Sequence, residues 1–303
     1  MRINWEGVIP AITTPFNADM SVDFGLQAKH AQWMVAAGCT GIVPFGSLGE
    51  AATLTFDEKL KTVATLAEAL DGKAPVIPMV SALSTAEAVR FAKEAKAAGA
   101  SGFMVLPPYA YSSDYREMKG HVTSVLAATD LPCMLYNNPI AYKTDFLPPQ
   151  VAEIVREHPN AQAIKESTAD LRRITWLRTL MNDDFKILIG VDDLFVEATY
   201  AGAVGWIAGL VNAMPEESVR LYELARAGRK EEAFELYSWF LPLLRLDIGT
   251  KFVQKIKLAV EYAGWGSSSV RAPRYALEGE ELAEVMRTIE EGFANRPNLK
   301  VGA

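Results

Sequence analysis

Lys165 stands in AIKEST (163–168), where a short, mostly apolar run gives way to polar residues. A lysine at the end of a buried strand must take its ammonium out of water or find it a partner. Desolvation lowers the pKa of the amine and leaves a free base able to attack a carbonyl. Lys165 is therefore the candidate for a Schiff-base nucleophile. The competing reading is a surface lysine whose stem lies along apolar surface with its head in water. Tyr136 closes another apolar run (133–136) and is the second candidate. A phenol beside an imine can move the protons that its formation and breakdown require; an aromatic at a rim is the alternative.

The loop GSLGE (46–50) sets two glycines and a hydroxyl directly after a third apolar run. Such a turn can present consecutive N–H groups as an anion nest, which suits the carboxylate of a small keto acid, or it can be an ordinary connection. Asp192 and Asp193 form a carboxylate pair after the run 187–190. They suit a substrate hydroxyl, a substrate ammonium or a neighbouring helix N-terminus.

These residues need a scaffold that brings run ends together. Eight short apolar runs recur, at 8–13, 41–45, 76–80, 102–106, 133–136, 161–164, 187–190 and 205–208. Segments of helical character separate them, with apolar residues at three-to-four spacing in 24–37 and an Ala, Glu and Lys-rich stretch at 85–98. AAGC (36–39), AAGA (97–100) and YAGA (200–203) each place a glycine where a helix should stop. Near-continuous apolar strands fit a parallel sheet covered on both faces. The pattern predicts an α/β fold, a (β/α)8 TIM barrel, with an open doubly wound sheet as the alternative; no G-x-G-x-x-G follows the first run. A single domain over 1–303 is expected, with the barrel in 1–215 and C-terminal helices in 216–303. Those helices are read at 216–227, 229–244, 250–262 and 280–294, with Pro242 kinking or ending the second early and the last residues, 296–303, loosely held.

In such a barrel the site lies at the strand ends, where the βα loops begin. Those positions also include Thr13, Ser81, Tyr109, Asn138, Ala208 and Gly209, and Lys165 is the one lysine among them. The net charge of -7 argues against nucleic acid or an anionic membrane as partner, and no apolar stretch is long enough for a span. The first residues lack the apolar core of a secretion signal. Cys39 and Cys133 read as free buried thiols of a reducing compartment, hence a cytoplasmic location. His30, His121 and His158 show no metal-ligand spacing, and no metal or cofactor is expected.

Taken in order, GVIPAITTPF (7–16), GSLGE (46–50), LPPY (106–109), YNNP (136–139), IKES (164–167) and GVDD (190–193) resemble the dihydrodipicolinate synthase / N-acetylneuraminate lyase superfamily of class I aldolase-type barrels. The resemblance runs from about residue 7 to 299. It implies that Lys165 forms an imine with a pyruvate-like keto carbon and that Tyr136 shuttles protons. Ser47 would take the hydroxyl position of the proton relay. The backbone of Gly46, Ser47, Leu48 and Gly49 would hold the carboxylate, and a homotetramer built as a dimer of dimers is implied.

Departures from the superfamily pattern bear on substrate. Ala141 stands where dihydrodipicolinate synthases carry the arginine that grips the second substrate, and Ala110 interrupts their paired tyrosines, so the relay aromatic would be rebuilt from Tyr109 or Tyr111. In those synthases the second tyrosine of the pair is donated to a neighbour's site, so here that relay is either missing or rebuilt. Leu48 replaces the second small hydroxylic residue usual in neuraminate lyases. YNNPIAYKTD (136–145), GVDDLFVE (190–197), GWIAGLVNAMP (205–215) and WGSSSVRAPR (265–274) look most like members that act in hydroxyproline breakdown. That implies deamination, with dehydration, of 1-pyrroline-4-hydroxy-2-carboxylate to 2-oxoglutarate semialdehyde, with Asn138 or Asp192 orienting the hydroxyl or amine end. The alternatives are a dihydrodipicolinate synthase, an N-acetylneuraminate lyase, a 2-keto-3-deoxy-sugar-acid aldolase or dehydratase, and a non-catalytic ligand-binding barrel.

Overall fold

The computed structural model describes residues 3–299. Seven parallel strands form one sheet: β1 (Gly7–Pro10), β2 (Met79–Val80), β3 (Phe103–Val105), β4 (Cys133–Asn137), β5 (Ala161–Glu166), β6 (Lys186–Ile189) and β7 (Gly205–Ala208). Their spatial order is β1-β7-β6-β5-β4-β3-β2. The expected eighth strand, 41–45, makes only isolated parallel bridges, Ala11 with Val43 and Ile42 with Val76. Backbone bonds on both of its sides (Val43 N–H to Pro10 O, 2.8 Å; Ile77 N–H to Ile42 O, 2.8 Å) nevertheless close the ring between β1 and β2. The fold is a (β/α)8 barrel.

The strands are short and buried on both faces, so their side chains are apolar almost without alternation. Helices Phe24–Ala36 and Thr85–Ala97 start on the side chains of Asp23 and Ser84, each of which accepts a backbone N–H in the first turn. They stop where Gly38 and Gly99 take φ of 107° and 109°, a region open to glycine at little cost.

Beyond the barrel the helices are Pro215–Arg226, Lys230–Leu244, Phe252–Tyr262 and Gly279–Ala294. Pro242 does not end its helix early, because it lies in the final turn and only two residues follow before a 3-10 turn, Arg245–Asp247. There the missing N–H forfeits one bond of a ladder that is already finishing. Arg296 is not loosely held: its guanidinium bonds the buried carboxylate of Glu217. Residues 300–303 of that expected loose end lie outside the described residues. Cys39 and Cys133 are buried and unbridged, and burial pushes both thiols up to about 12. Among the described residues no helix is long and apolar enough to cross a membrane.

Candidate active site

β5 runs two residues further than its apolar core suggests, so Lys165 lies within the strand. Parallel register sets its Cα opposite Tyr136 of β4 on one side and Leu188 of β6 on the other. The ammonium nitrogen consequently lies 4.4 Å from the centre of the Tyr136 ring. The stem passes over Gly190, where a Cβ would come within 2.2 Å of Lys165 Cε, so this position in GVDD must be empty of side chain. Lys165 is 8% exposed. Burial lowers its pKa to about 8, against the opposing fields of Asp247 and then Asp192. A substantial fraction of free amine near neutral pH follows, which a nucleophile needs.

Tyr136 is buried, and burial raises its phenol. Its hydroxyl accepts from Asn138 Nδ2 at 3.0 Å. Asn138 Oδ1 in turn accepts the N–H of Ala141 at the start of the short helix Pro139–Tyr142. Both ends of that amide are thus committed, and Asn138 orients the tyrosine. The preceding Asn137 is structural: its side chain bonds both the N–H and the carbonyl of Phe146.

The GSLGE loop is bracketed by two non-glycine residues with positive φ, Phe45 (69°) and Glu50 (56°). Such conformations persist only where surroundings enforce them. Glu50 is fully buried and accepts from Lys257 Nζ (2.9 Å) and the Arg271 N–H (3.1 Å), both from the C-terminal region. Lys257 also donates to Thr14 O, and Thr14 Oγ1 donates to Gly49 O. Held in this way, the N–H groups of Ser47 and Leu48 donate to no protein acceptor among the described residues. The Ser47 hydroxyl hydrogen-bonds that of Tyr142.

A cavity of about 600 Å³ joins these groups; Gly46, Ser47, Leu48, Tyr136, Asn138 and Lys165 all line it. Gly49 and Ala208 do not. Gly49 turns its Cα face toward the backbone of Ile12 and Phe45, and Ala208 is paired to Pro10 in the sheet. Asp192 serves the last of its three expected uses, a neighbouring helix N-terminus, and not the substrate-binding one. Its oxygens accept from Trp206 Nε1 (2.9 Å), the Gly209 N–H (3.1 Å) and the Leu210 N–H (2.9 Å), so the carboxylate pins the end of β7 instead of facing the cavity. Burial still pushes it up to about 6. Asp193 does line the cavity, at 3.5 Å from Arg245 Nε.

Neither Tyr109 nor Tyr111 reaches the cavity. They border a separate recess with His121, and Tyr111 is 53% exposed. The aromatic that meets Ser47 is Tyr142, which stacks edge-on with both Tyr136 (6.0 Å) and Tyr109 (5.7 Å). It sits one residue past Ala141. Part of the wall comes from beyond the barrel: Asp247, Ile248, Gly249, Thr250 and Phe252.

Residues 4–292 match the dihydrodipicolinate synthetase family. The chain belongs to that family. It is 34% identical over 293 residues to the 4-hydroxy-tetrahydrodipicolinate synthase of Methanosphaerula palustris, covering 94% of this chain and all of that one. It is 36% identical over 290 residues to the enzyme of that name from Methanoculleus marisnigri, covering 94% and 98%. Among solved structures it superposes on the 4-hydroxy-tetrahydrodipicolinate synthase of Methylacidiphilum fumariolicum SolV with a TM-score of 0.91 at 28% identity, covering 95% and 96%. On YagE from E. coli K12, a prophage protein of the family solved in complex with pyruvate, the TM-score is 0.89 at 25% identity, covering 95% and 99%. As a member of the dihydrodipicolinate synthetase family, this chain is a class I aldolase-type, Schiff-base-forming lyase.

Proposed function

We propose that this lyase deaminates, with loss of water, 1-pyrroline-4-hydroxy-2-carboxylate to 2-oxoglutarate semialdehyde. One observation carries the reading: among the described residues lining the cavity Lys165 is the one cation, and Ala141 leaves no arginine for a second substrate carboxylate. The single carboxylate of the pyrroline has its place at the free N–H groups of Ser47 and Leu48. Lys165 attacks the C=N carbon, and the ring nitrogen leaves as an open-chain amine. Tyr136, relayed through Ser47 and Tyr142, moves the protons. A proton lost from C3 and the hydroxyl lost from C4 leave a conjugated imine. Isomerisation and two hydrolyses then release ammonia and the semialdehyde and free Lys165.

A second reading, 4-hydroxy-tetrahydrodipicolinate synthesis, draws on the names of the relatives. Incubation of the purified protein with the pyrroline hydroxy acid should release ammonia, while pyruvate with aspartate semialdehyde should give no condensation. Condensation without ammonia release would reverse the assignment.

The proposal extends to the whole chain acting as one unit, since residues past 215 complete the cavity wall. It also extends to a cytoplasmic homotetramer, a dimer of dimers, whose mass sedimentation would measure.

A further inference from the structure

The far wall of the cavity holds a group that none of the chemistry above employs. Asp247 closes the 3-10 turn Arg245–Asp247, outside the barrel, and turns its carboxyl back over the end of β7. That carboxyl occupies the space a side chain on residue 209 would need: a Cβ there would lie 2.2 Å from Oδ1 and 2.4 Å from Oδ2. Glycine at 209 thus makes room for the acid. Oδ1 is shielded from solvent and has no hydrogen-bond partner among the described residues. Leaving a buried carboxyl oxygen unpaired is costly, so its retention calls for a use. Asp193, on the same wall, is already paired with Arg245, and Asp192 is saturated by three N–H donors.

The charged and titratable neighbours of this group are Lys165, Asp192 and Tyr136. Burial first, and the charge of Asp192 second, hold the Asp247 carboxyl well above its ordinary range, while Lys165 opposes them. That direction favours the protonated, uncharged acid.

We infer that Asp247 receives the 4-hydroxyl of the substrate and protonates it as it leaves. The inference rests on the dehydrating reading above. In this step the C3–H bond breaks and its proton passes to the Tyr136 relay, while the electron pair forms the C3=C4 double bond. The C4–O bond breaks, the oxygen takes the Asp247 proton and departs as water, and the carboxylate left behind is reprotonated from solvent before the next turnover.

The test compares two leaving groups in the wild type and in Asp247→Asn, which keeps the shape of the side chain. With the 4-hydroxy pyrroline acid, the variant should lose about 10²-fold or more in kcat. With the 4-fluoro analogue, whose fluoride departs without a proton, it should stay within about threefold of wild type. Borohydride trapping of pyruvate should give the same adduct in both proteins, showing a folded site with a working Lys165. Equal losses on both substrates, or no loss on the hydroxy acid, would overturn the role of Asp247 alone. Wild type that releases ammonia from neither substrate would overturn the dehydrating reading and this inference with it.

Discussion

Ser47 and Tyr142 meet hydroxyl to hydroxyl within a single chain, joining the loop after the second barrel element to the short helix after β4. Tyr142 also stacks edge-on with Tyr136, the tyrosine beside Lys165, so the Ser47–Tyr142 pair borders the site of imine formation. Tyr142→Phe should accordingly lower turnover by roughly 10–10²-fold with little change in KM. Tyr111→Phe should leave steady-state kinetics at the wild-type level. The reverse result would place the relay on Tyr111.

Burial holds Lys165 near 8 in place of its usual 10.5. A depressed amine pKa means that the charged form is lost as pH rises through that value, and only the neutral form attacks. Imine formation with pyruvate, followed by stopped borohydride trapping, should therefore climb with pH through about 8 and then level off. A plateau delayed until about pH 10 would mean that the amine is not desolvated.

Gly190 carries the stem of Lys165 on a surface that tolerates no Cβ. Gly190→Ala should leave a folded barrel, by circular dichroism, that traps pyruvate at least about tenfold more slowly, because the lysine is turned from its path. Trapping at the wild-type rate would show that the stem has another route.

The Glu50–Lys257 pair is buried at both ends, with side chains 0% and 2% exposed. Removing one partner strands the other charge, so Glu50→Gln should cost about 3–5 kcal/mol in urea unfolding. It should also slow catalysis by loosening the loop that carries Ser47. An unfolding midpoint unchanged from wild type would show that Glu50 is not a keystone of this loop.

The barrel was legible because each of its strands is an apolar run bounded by turn residues, and helix stops at Gly38 and Gly99 carry a backbone requirement visible in the residue type. The nucleophile was legible for a related reason: a lysine inside an apolar run conflicts with its setting, and such conflicts mark function. Segment 41–45 keeps its expected place in the barrel, but its hydrophobicity does not reveal that its ladder reduces to isolated bridges. Asp192 stayed open between substrate and helix N-terminus because a carboxylate that accepts three N–H groups and one that awaits a ligand are the same letter. Tyr142 and Asp247 were missed because their value comes from tertiary placement, Tyr142 across the cavity from its own strand and Asp247 on a turn far along the chain.

The wall that carries Lys165 and Tyr136 is woven into the sheet, whereas the facing wall, Asp247 to Phe252, is a connector between two helices. Changes in the connector touch no strand ladder. A lineage built on this scaffold can trade one substrate for another by editing a handful of connector positions, leaving the imine machinery as it was. Shared ancestry with the synthases then predicts the reaction's first step far better than its product.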